Sequence, residues 1–206
     1  MSETKTLQGK KIAVLVDTEY IHDEVAHYEK FFTEHGATVD FLSLLWGSPS
    51  KRIIADITDT DEPERRIHIM TVDKDVKDAK AEDYAIILCA ANYVACRLRE
   101  IEPMNSLGSV AELATPPAVR FFADAMKRKN IVKGCLCHAL WLLTPVPELL
   151  KGRKVICHTV VLADIHNAGA IFAPDTGDKS HVVVDDDLVT GRSAADLKDY
   201  TGRCLH

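Results

Sequence analysis

The sequence lacks the features of a membrane protein or a nucleic-acid-binding protein. Its longest apolar runs, at residues 12–16 and 84–91, are far shorter than the roughly 20 residues that span a bilayer. It has no basic excess either, since 25 Lys and Arg stand against 31 Asp and Glu for a formal net charge of -6. Nucleic-acid binders usually present a basic face. We therefore expect neither a nucleic acid nor a membrane as partner.

The sequence is also poor in signs of secretion. The first residues have no apolar centre of a signal peptide, and the six cysteines are too few and too unevenly spaced for a disulfide scaffold. We expect a cytoplasmic protein in which most cysteines are small buried side chains. There is no internal repeat. A chain of 206 residues with 47% hydrophobic and 27% charged residues suits one globular domain over 1–206.

Apolar segments alternate with helical patterns along the chain. Residues 10–17 and 83–91 are apolar without alternation, which is typical of central parallel strands covered on both faces. Residues 23–35 and 116–130 carry apolar side chains at helical spacing. Further elements are predicted as strands at 37–45, 131–136 and 153–158, a helix from 138 to 143, a hairpin over 180–191 and a helix over 193–200. The order predicts a doubly wound α/β fold with a mostly parallel sheet flanked by helices (a flavodoxin-like sandwich) and a small C-terminal hairpin.

Residues 47–66 interrupt this pattern. They hold Pro49, Pro63 and four acidic residues between 56 and 62. We predict an insertion or long loop here, with a short hairpin around 52–57, and then a strand at 68–72 leading back. Three interpretations are open for this insertion: a solvent-exposed loop without a further role, a lid over the site, or a contact between subunits of an oligomer.

The segment most suited to chemistry is the junction at Cys137. An apolar strand runs directly into a predicted helix there, which puts the side chain at the carboxyl end of the strand, where open α/β sheets place ligands. Amides at a helix N-terminus favour a thiolate, and the amide of His138 would face an oxyanion formed by attack of the sulfur. The alternative is that Cys137 only packs the end of the strand.

The block around Cys137 and His138 resembles the cysteine elbow of the ThiJ/PfpI superfamily, also called the DJ-one superfamily, which has the class I glutamine-amidotransferase-like fold. The resemblance extends over most of the chain. Its other parts are the acidic turn at 17–20, the strand at 83–91, a Leu-x-Gly-Arg/Lys-x-Val stretch within 149–155, an Asn-Ala-Gly motif at 167–169, and the closing hairpin and helix start at 187–192 and 195–197.

The resemblance implies roles for four residues. Cys137 corresponds to the nucleophile. Glu19 corresponds to the carboxyl group that is hydrogen-bonded to its sulfur, buried and therefore protonated. His138 points into the site or towards a subunit interface, and His158 falls where some members place a pocket histidine. The chain thus has candidates for both histidine arrangements.

The resemblance also implies an oxyanion hole. Where the family usually has Pro-Gly-Gly, this chain has Cys89, Ala90 and Ala91. Alanine keeps the N–H group but disfavours a positive φ. The amides of Ala91 and His138 are the expected oxyanion donors, and Ala90 and Asn92 the expected pocket residues.

By this resemblance the protein is a cysteine-dependent enzyme for small reactive carbonyls. It would act as a glutathione-independent glyoxalase or a deglycase in the response to stress, through a hemithioacetal on Cys137 and without a cofactor or metal. One alternative is a Cys-His peptidase or amidohydrolase that cleaves amides. The other is a non-enzymatic redox sensor or chaperone. Because members of the family are commonly oligomers, the resemblance implies a homodimer or a higher homo-oligomer.

Overall fold

The computed structural model describes residues 7–57, 67–174 and 181–205. In these ranges the strands are β1 (Lys11–Leu15), β2 (Thr38–Ser43), β3 (Lys51–Ile54), β4 (Ile69–Val72), β5 (Lys74–Asp75), β6 (Ile86–Cys89), β7 (Val132–Leu136), β8 (Lys154–Val155), β9 (Ile171–Phe172), β10 (Val182–Asp185) and β11 (Leu188–Gly191). Seven of them form one sheet in the order β10–β11–β7–β6–β1–β2–β5. Every pairing in this sheet is parallel except that of β10 with β11. The predicted fold class is confirmed.

The helices follow from amphipathic segments. They are α1 (His22–Glu34), α2 (Val94–Leu98), α3 (Pro117–Met126), α4 (Leu162–Asn167) and α5 (Leu197–Arg203). In α1 the buried face includes Val25, Tyr28 and Phe32, and the chain leaves the helix at Gly36 with a φ of 86°. No helix in the described ranges is long and apolar enough to cross a membrane.

The topology places a crevice between β1 and β6. From β1 the chain moves outward to β2, and it later returns to add β6 on the other side of β1, followed by β7. Helices that follow these two central strands therefore diverge. Open α/β sheets bind ligands beyond the carboxyl ends of the strands at such a switch point. Residues just after β1, β6 and β7 meet at this edge.

Two predicted elements near this edge are wrong in extent. The segment from 138 to 143 is a 3₁₀ helix over Ala139–Leu142 rather than an α-helix. The strand predicted at 153–158 is reduced to β8, which pairs with β9 in a separate two-stranded sheet. No strand of the main sheet is paired with β8, although the Ile156 amide donates to the Thr190 hydroxyl of β11.

The predicted insertion contributes one strand of a hairpin that is wider than the one expected around 52–57, since its second strand is the one predicted at 68–72. β3 pairs antiparallel with β4, and residues 58–66 between them lie outside the described residues. The hairpin lies against the carboxyl end of β1. Lys51 forms an ion pair with buried Asp17 at 2.6 Å, and the amide of Glu19 donates to the carbonyl of Ile54 at 2.7 Å. That the chain is one domain with an insertion stays a prediction.

Candidate active site

Cys137 occupies a sharp turn directly after β7. Its φ is 59°, in the left-handed region that non-glycine residues seldom adopt. Two backbone hydrogen bonds hold the turn: the amide of Cys137 donates to Gly191 at 2.8 Å, and its carbonyl accepts from His158 at 3.1 Å. The residue is 8% exposed. This is the geometry of a nucleophile elbow, in which a strained turn aims a side chain at the edge of the sheet.

The turn after Cys137 is shorter than the sequence predicts. The four-residue 3₁₀ helix that follows aligns few peptide dipoles, so its N-terminus is a weaker positive pole than that of a full α-helix. The prediction that an α-helix begins beside Cys137 is therefore wrong. Other groups have to supply most of the polarity around the sulfur.

Glu24 is a completely buried carboxyl group at the same edge. It lies in the first turn of α1 and is 0% exposed. The Tyr28 hydroxyl donates to its Oε1 at 2.7 Å, and the Ala91 amide donates to both of its oxygens at 3.0 Å. These bonds tie α1 to the loop that follows β6 and hold the carboxyl group in one orientation.

Burial raises the pKa of Glu24 to about 7. The loss of hydration disfavours the carboxylate, and the hydrogen bonds from Tyr28 and Ala91, which favour it, only partly oppose that effect. At neutral pH Glu24 is therefore present both as an acid and as a base. A group with its pKa near the working pH is suited to moving a proton in either direction.

The strand register brings Glu24 towards Cys137. Cys89 in β6 is paired with Cys135 in β7. Ala91 and Cys137 each come two residues after this pair, so the loop that carries Ala91 and the turn at Cys137 leave the sheet at the same edge. Because the Ala91 amide is bonded to Glu24, the buried carboxyl group lies at the level of the elbow.

The raised pKa of Glu24 predicts how stability changes with pH. The folded protein holds this proton up to about pH 7, whereas the ordinary value is 4.5, so folding is favoured below that range and loses stability as pH rises through it. We expect urea unfolding to show that Glu24→Gln gains about 3 kcal/mol relative to wild type between about pH 5 and about pH 8. The comparison cancels the titration of all other groups. A difference that does not change with pH would contradict a raised pKa.

Glu19 does not have the expected burial. Its side chain is 39% exposed and forms an ion pair with Arg97, with an Oε2 to guanidinium nitrogen distance of 2.9 Å. Its backbone is also left-handed, with a φ of 70°, because the turn after β1 is tied to the hairpin at Ile54. The expectation that Glu19 is buried is wrong. The buried carboxyl group at this edge is Glu24.

The loop after β6 differs from the predicted oxyanion wall. The positive φ falls on Asn92, at 59°, a residue type that tolerates this region better than alanine does. The Ala91 amide donates to Glu24 instead of facing the site as a free oxyanion donor. Ala90 is fully buried, and its amide donates to Leu15. Asn92 is buried too, and its side-chain amide donates to Asp56 at 2.5 Å, which links the loop to the hairpin.

The two candidate histidines lie together. The rings of His138 and His158 have centroids 4.8 Å apart and meet edge to face. His138 also stacks on Trp141 at 5.1 Å and contacts Tyr93 at 5.7 Å. Nδ1 of His158 accepts from the Val160 amide at 3.4 Å, which leaves the ring proton on Nε2. Both rings are half-buried. His138 follows Cys137 directly in the sequence, and the backbone amide of His158 is bonded to the Cys137 carbonyl.

Glu24 is not among the site residues predicted from the sequence, although the pattern of α1 contains a signal for its burial. Glu24, Tyr28 and Phe32 stand four residues apart and share the buried face of the helix. A carboxyl group in an apolar stripe needs a partner or a raised pKa.

No group of three or more His, Cys, Asp or Glu side chains in the described part of the chain is arranged to hold a metal ion.

Comparisons with known proteins agree with this architecture. The model of the DJ-1/PfpI family matches residues 108–206. General stress protein 18 of Bacillus subtilis is 27% identical over 197 residues, which are 96% of each chain. Among solved structures, DJ-1 of Schizosaccharomyces pombe superposes with a TM-score of 0.67 at 14% identity, over 92% of this chain and 87% of that one.

A two-domain protein of Anabaena variabilis is also similar in structure. It contains DJ-1/ThiJ/PfpI-like and ferritin-like domains and has a TM-score of 0.72 at 20% identity. The match covers 95% of this chain and 47% of the other, so this chain spans about half the length of that protein. At these identities the two structural matches establish the fold alone.

Proposed function

We propose that this chain, which the DJ-1/PfpI family model matches over residues 108–206, is a cysteine-dependent enzyme for small reactive carbonyls, a glutathione-independent glyoxalase or deglycase. One observation carries the proposal: a cysteine in a strained, left-handed turn follows β7, and a buried carboxyl group with a pKa of about 7 is bonded to the loop that follows the neighbouring strand β6. The first is suited to be a nucleophile and the second to be a proton carrier.

The limited exposure of Cys137 favours a small substrate. Only 8% of the residue is exposed, which a 2-oxoaldehyde such as methylglyoxal can reach more readily than a folded polypeptide can. In the proposed first step the Cys137 thiolate attacks the aldehyde carbon. A carbon–sulfur bond forms, and the carbonyl electron pair moves to oxygen. The amide of His138 stabilises this oxyanion, which takes a proton to give a hemithioacetal.

The second step is a proton transfer between neighbouring carbon atoms. The Glu24 carboxylate removes the hydrogen from the former aldehyde carbon, and the ketone oxygen takes up a proton to give an enediol. Glu24 then returns the proton to the former ketone carbon, and the hydroxyl group on the former aldehyde carbon loses its proton, which balances the one that the ketone oxygen took up. A thioester of a 2-hydroxy acid remains on Cys137. This exchange requires a group that is stable in both protonation states, as a carboxyl group with a pKa of about 7 is.

The last step is hydrolysis. Water adds to the thioester carbon, the carbon–sulfur bond breaks, and the thiolate of Cys137 leaves together with the 2-hydroxy acid. His138, whose ring lies 4.8 Å from that of His158, is the base proposed to activate this water. For a deglycase, the Cys137 thiolate would attack the carbon of a hemiaminal adduct: the carbon–sulfur bond forms, the carbon–nitrogen bond breaks, and the protein amine leaves with a proton. The hemithioacetal that results would then follow the same steps.

The setting of the enzyme is part of the same proposal. We place it in the cytoplasm, where thiols stay reduced, as a homodimer or higher homo-oligomer with a role in the stress response. The similarity to a general stress protein supports that role. The six cysteines, all of them free thiols, are compatible with a reducing compartment.

The decisive experiment measures conversion of methylglyoxal to lactate without glutathione. We expect turnover with wild-type protein and loss of turnover after alkylation of the protein with iodoacetamide. A fluorogenic peptide is assayed in parallel for the Cys-His peptidase. Cleavage of the peptide without lactate formation would replace the proposed reaction by amide hydrolysis.

A further inference from the structure

A second cysteine lies beside the elbow and has no part in the proposed reaction. Cys157 is 2% exposed and stands directly before His158, whose amide donates to the Cys137 carbonyl at 3.1 Å. That hydrogen bond sets the peptide unit between 157 and 158 against Cys137. Backbone segments joined by such a bond lie side by side, and we therefore expect the Cα atoms of Cys137 and Cys157 to be about 5 Å apart. A disulfide requires a Cα–Cα distance of about 4.4–6.8 Å.

The two sulfur atoms are also close enough to influence each other electrically. Burial and, after it, the negative charge of Cys137 raise the pKa of the Cys157 thiol to about 12. At neutral pH Cys157 is therefore a protonated, shielded thiol that is 2% exposed, whereas Cys137 in the strained turn is 8% exposed. An oxidant meets Cys137 first.

We infer that Cys157 is the resolving cysteine for Cys137, so that a hydroperoxide converts the pair to an intramolecular disulfide. The inference rests on the same reactive sulfur as the proposed function, but it requires no substrate turnover. The disulfide can be reduced, so this oxidation is reversible. While it is present the site is inactive, and a thiol reductant restores the Cys137 thiol.

The chemistry balances with the hydroperoxide as the only oxidant. The Cys137 thiolate attacks a peroxide oxygen, the O–O bond breaks, and Cys137 becomes a sulfenic acid. The Cys157 sulfur then attacks the Cys137 sulfur. The S–S bond forms, the S–O bond breaks, and the thiol proton leaves with the hydroxyl group as water. The two sulfur atoms together supply the two electrons that the peroxide takes up.

The surrounding backbone keeps the two segments in place for this reaction. The Cys137 amide is bonded to Gly191, and the Ile156 amide donates to the Thr190 hydroxyl at 3.0 Å. Both segments are thus anchored on the same end of β11. Closing the disulfide requires rotation of two short side chains rather than movement of either segment.

The test treats the full chain with hydrogen peroxide, blocks free thiols, and digests the unreduced protein with trypsin for mass spectrometry. Cys157 is the only cysteine in its tryptic peptide, 155–179, whereas Cys137 shares 134–151 with Cys135. We expect these two peptides to be joined, with fragmentation placing the bond at Cys137, and dithiothreitol to release them.

Variants make the assignment specific. In Cys157→Ser we expect the joined peptides to fall at least about tenfold and the Cys137 sulfinic acid to rise by a similar factor. Cys157→Ala is a second variant in case serine disturbs the core. Cys96→Ser is the matched control, since Cys96 is exposed, and should form the disulfide as wild type does.

The outcomes separate this inference from the proposed function. Wild-type protein that accumulates Cys137 sulfinic acid without joined peptides would overturn the resolving role, as would a bond between Cys157 and Cys135. Disulfide formation without any aldehyde turnover would leave the inference standing and reject the glyoxalase. Turnover without the disulfide would do the opposite.

Discussion

Replacement of Cys137 by serine is expected to lower kcat/KM for methylglyoxal by about 10³-fold or more. A hydroxyl group is far less ionised than a thiol at neutral pH, and the 3₁₀ turn after Cys137 offers too weak a dipole to compensate. Steady-state formation of lactate by wild type and Cys137→Ser measures the loss.

The matched control is Cys96→Ser. Cys96 is an exposed cysteine in α2, so its replacement should leave kcat/KM within about twofold of wild type. Circular dichroism and urea unfolding of both variants show whether each one is folded. Full activity of a folded Cys137→Ser variant would exclude a covalent step at this sulfur.

Much of the fold can be predicted because the strands at its centre carry an unambiguous pattern. All four residues of β6 are buried, and so are the last four of β1, as expected for strands covered by helices on both faces. The elbow is predictable for the same reason, since the apolar run of β7 ends at Cys137. Strands and junctions are local properties of the chain.

Which carboxyl group is buried depends on three-dimensional neighbours, and for this reason the predicted burial of Glu19 is wrong. Glu19 follows β1 directly, but the hairpin bond to Ile54 and the ion pair with Arg97 keep its side chain partly exposed. Glu24 is five residues further on, and only the packing of α1 against the loop after β6 shows that it is buried beside Ala91. The spacing of Glu24, Tyr28 and Phe32 in α1 indicates that Glu24 is buried, but the bond to Ala91 joins residues that are 67 positions apart in the sequence.

The oxyanion wall illustrates the same limit. The sequence shows that Ala91 retains an N–H group, but not which acceptor that group meets. In the structure the acceptor is Glu24, and the left-handed residue of the loop is Asn92. A donor becomes part of an active site only through its orientation, which is set by how the loop packs.

Replacement of Glu24 by glutamine is the second large effect that we expect. Glutamine keeps the size of the side chain and an oxygen that can accept from Tyr28 and Ala91, but it cannot carry a proton. If Glu24 moves the proton between the substrate carbons, kcat for methylglyoxal should fall by about 10²–10⁴-fold while KM changes little.

The pH profile distinguishes proton transfer from a merely structural role. Because the carboxylate is the base in the proposed step, wild-type activity should rise as pH increases through about 7, the pKa of buried Glu24. The residual activity of Glu24→Gln should lack this rise. A lower rate that keeps the same pH dependence would assign the titrating group elsewhere and leave Glu24 a structural part.

Glu19→Gln is the matched control for this experiment, because it removes a carboxyl group from the same end of the sheet. Its partner Arg97 and its own side chain are both substantially exposed, so the lost ion pair should cost less than about 1 kcal/mol. Activity should stay within about threefold of wild type and keep the rise through pH 7. A large loss in Glu19→Gln together with an active Glu24→Gln would return the proton-carrying role to Glu19, and the buried carboxyl group would then serve only to fix the loop at Ala91.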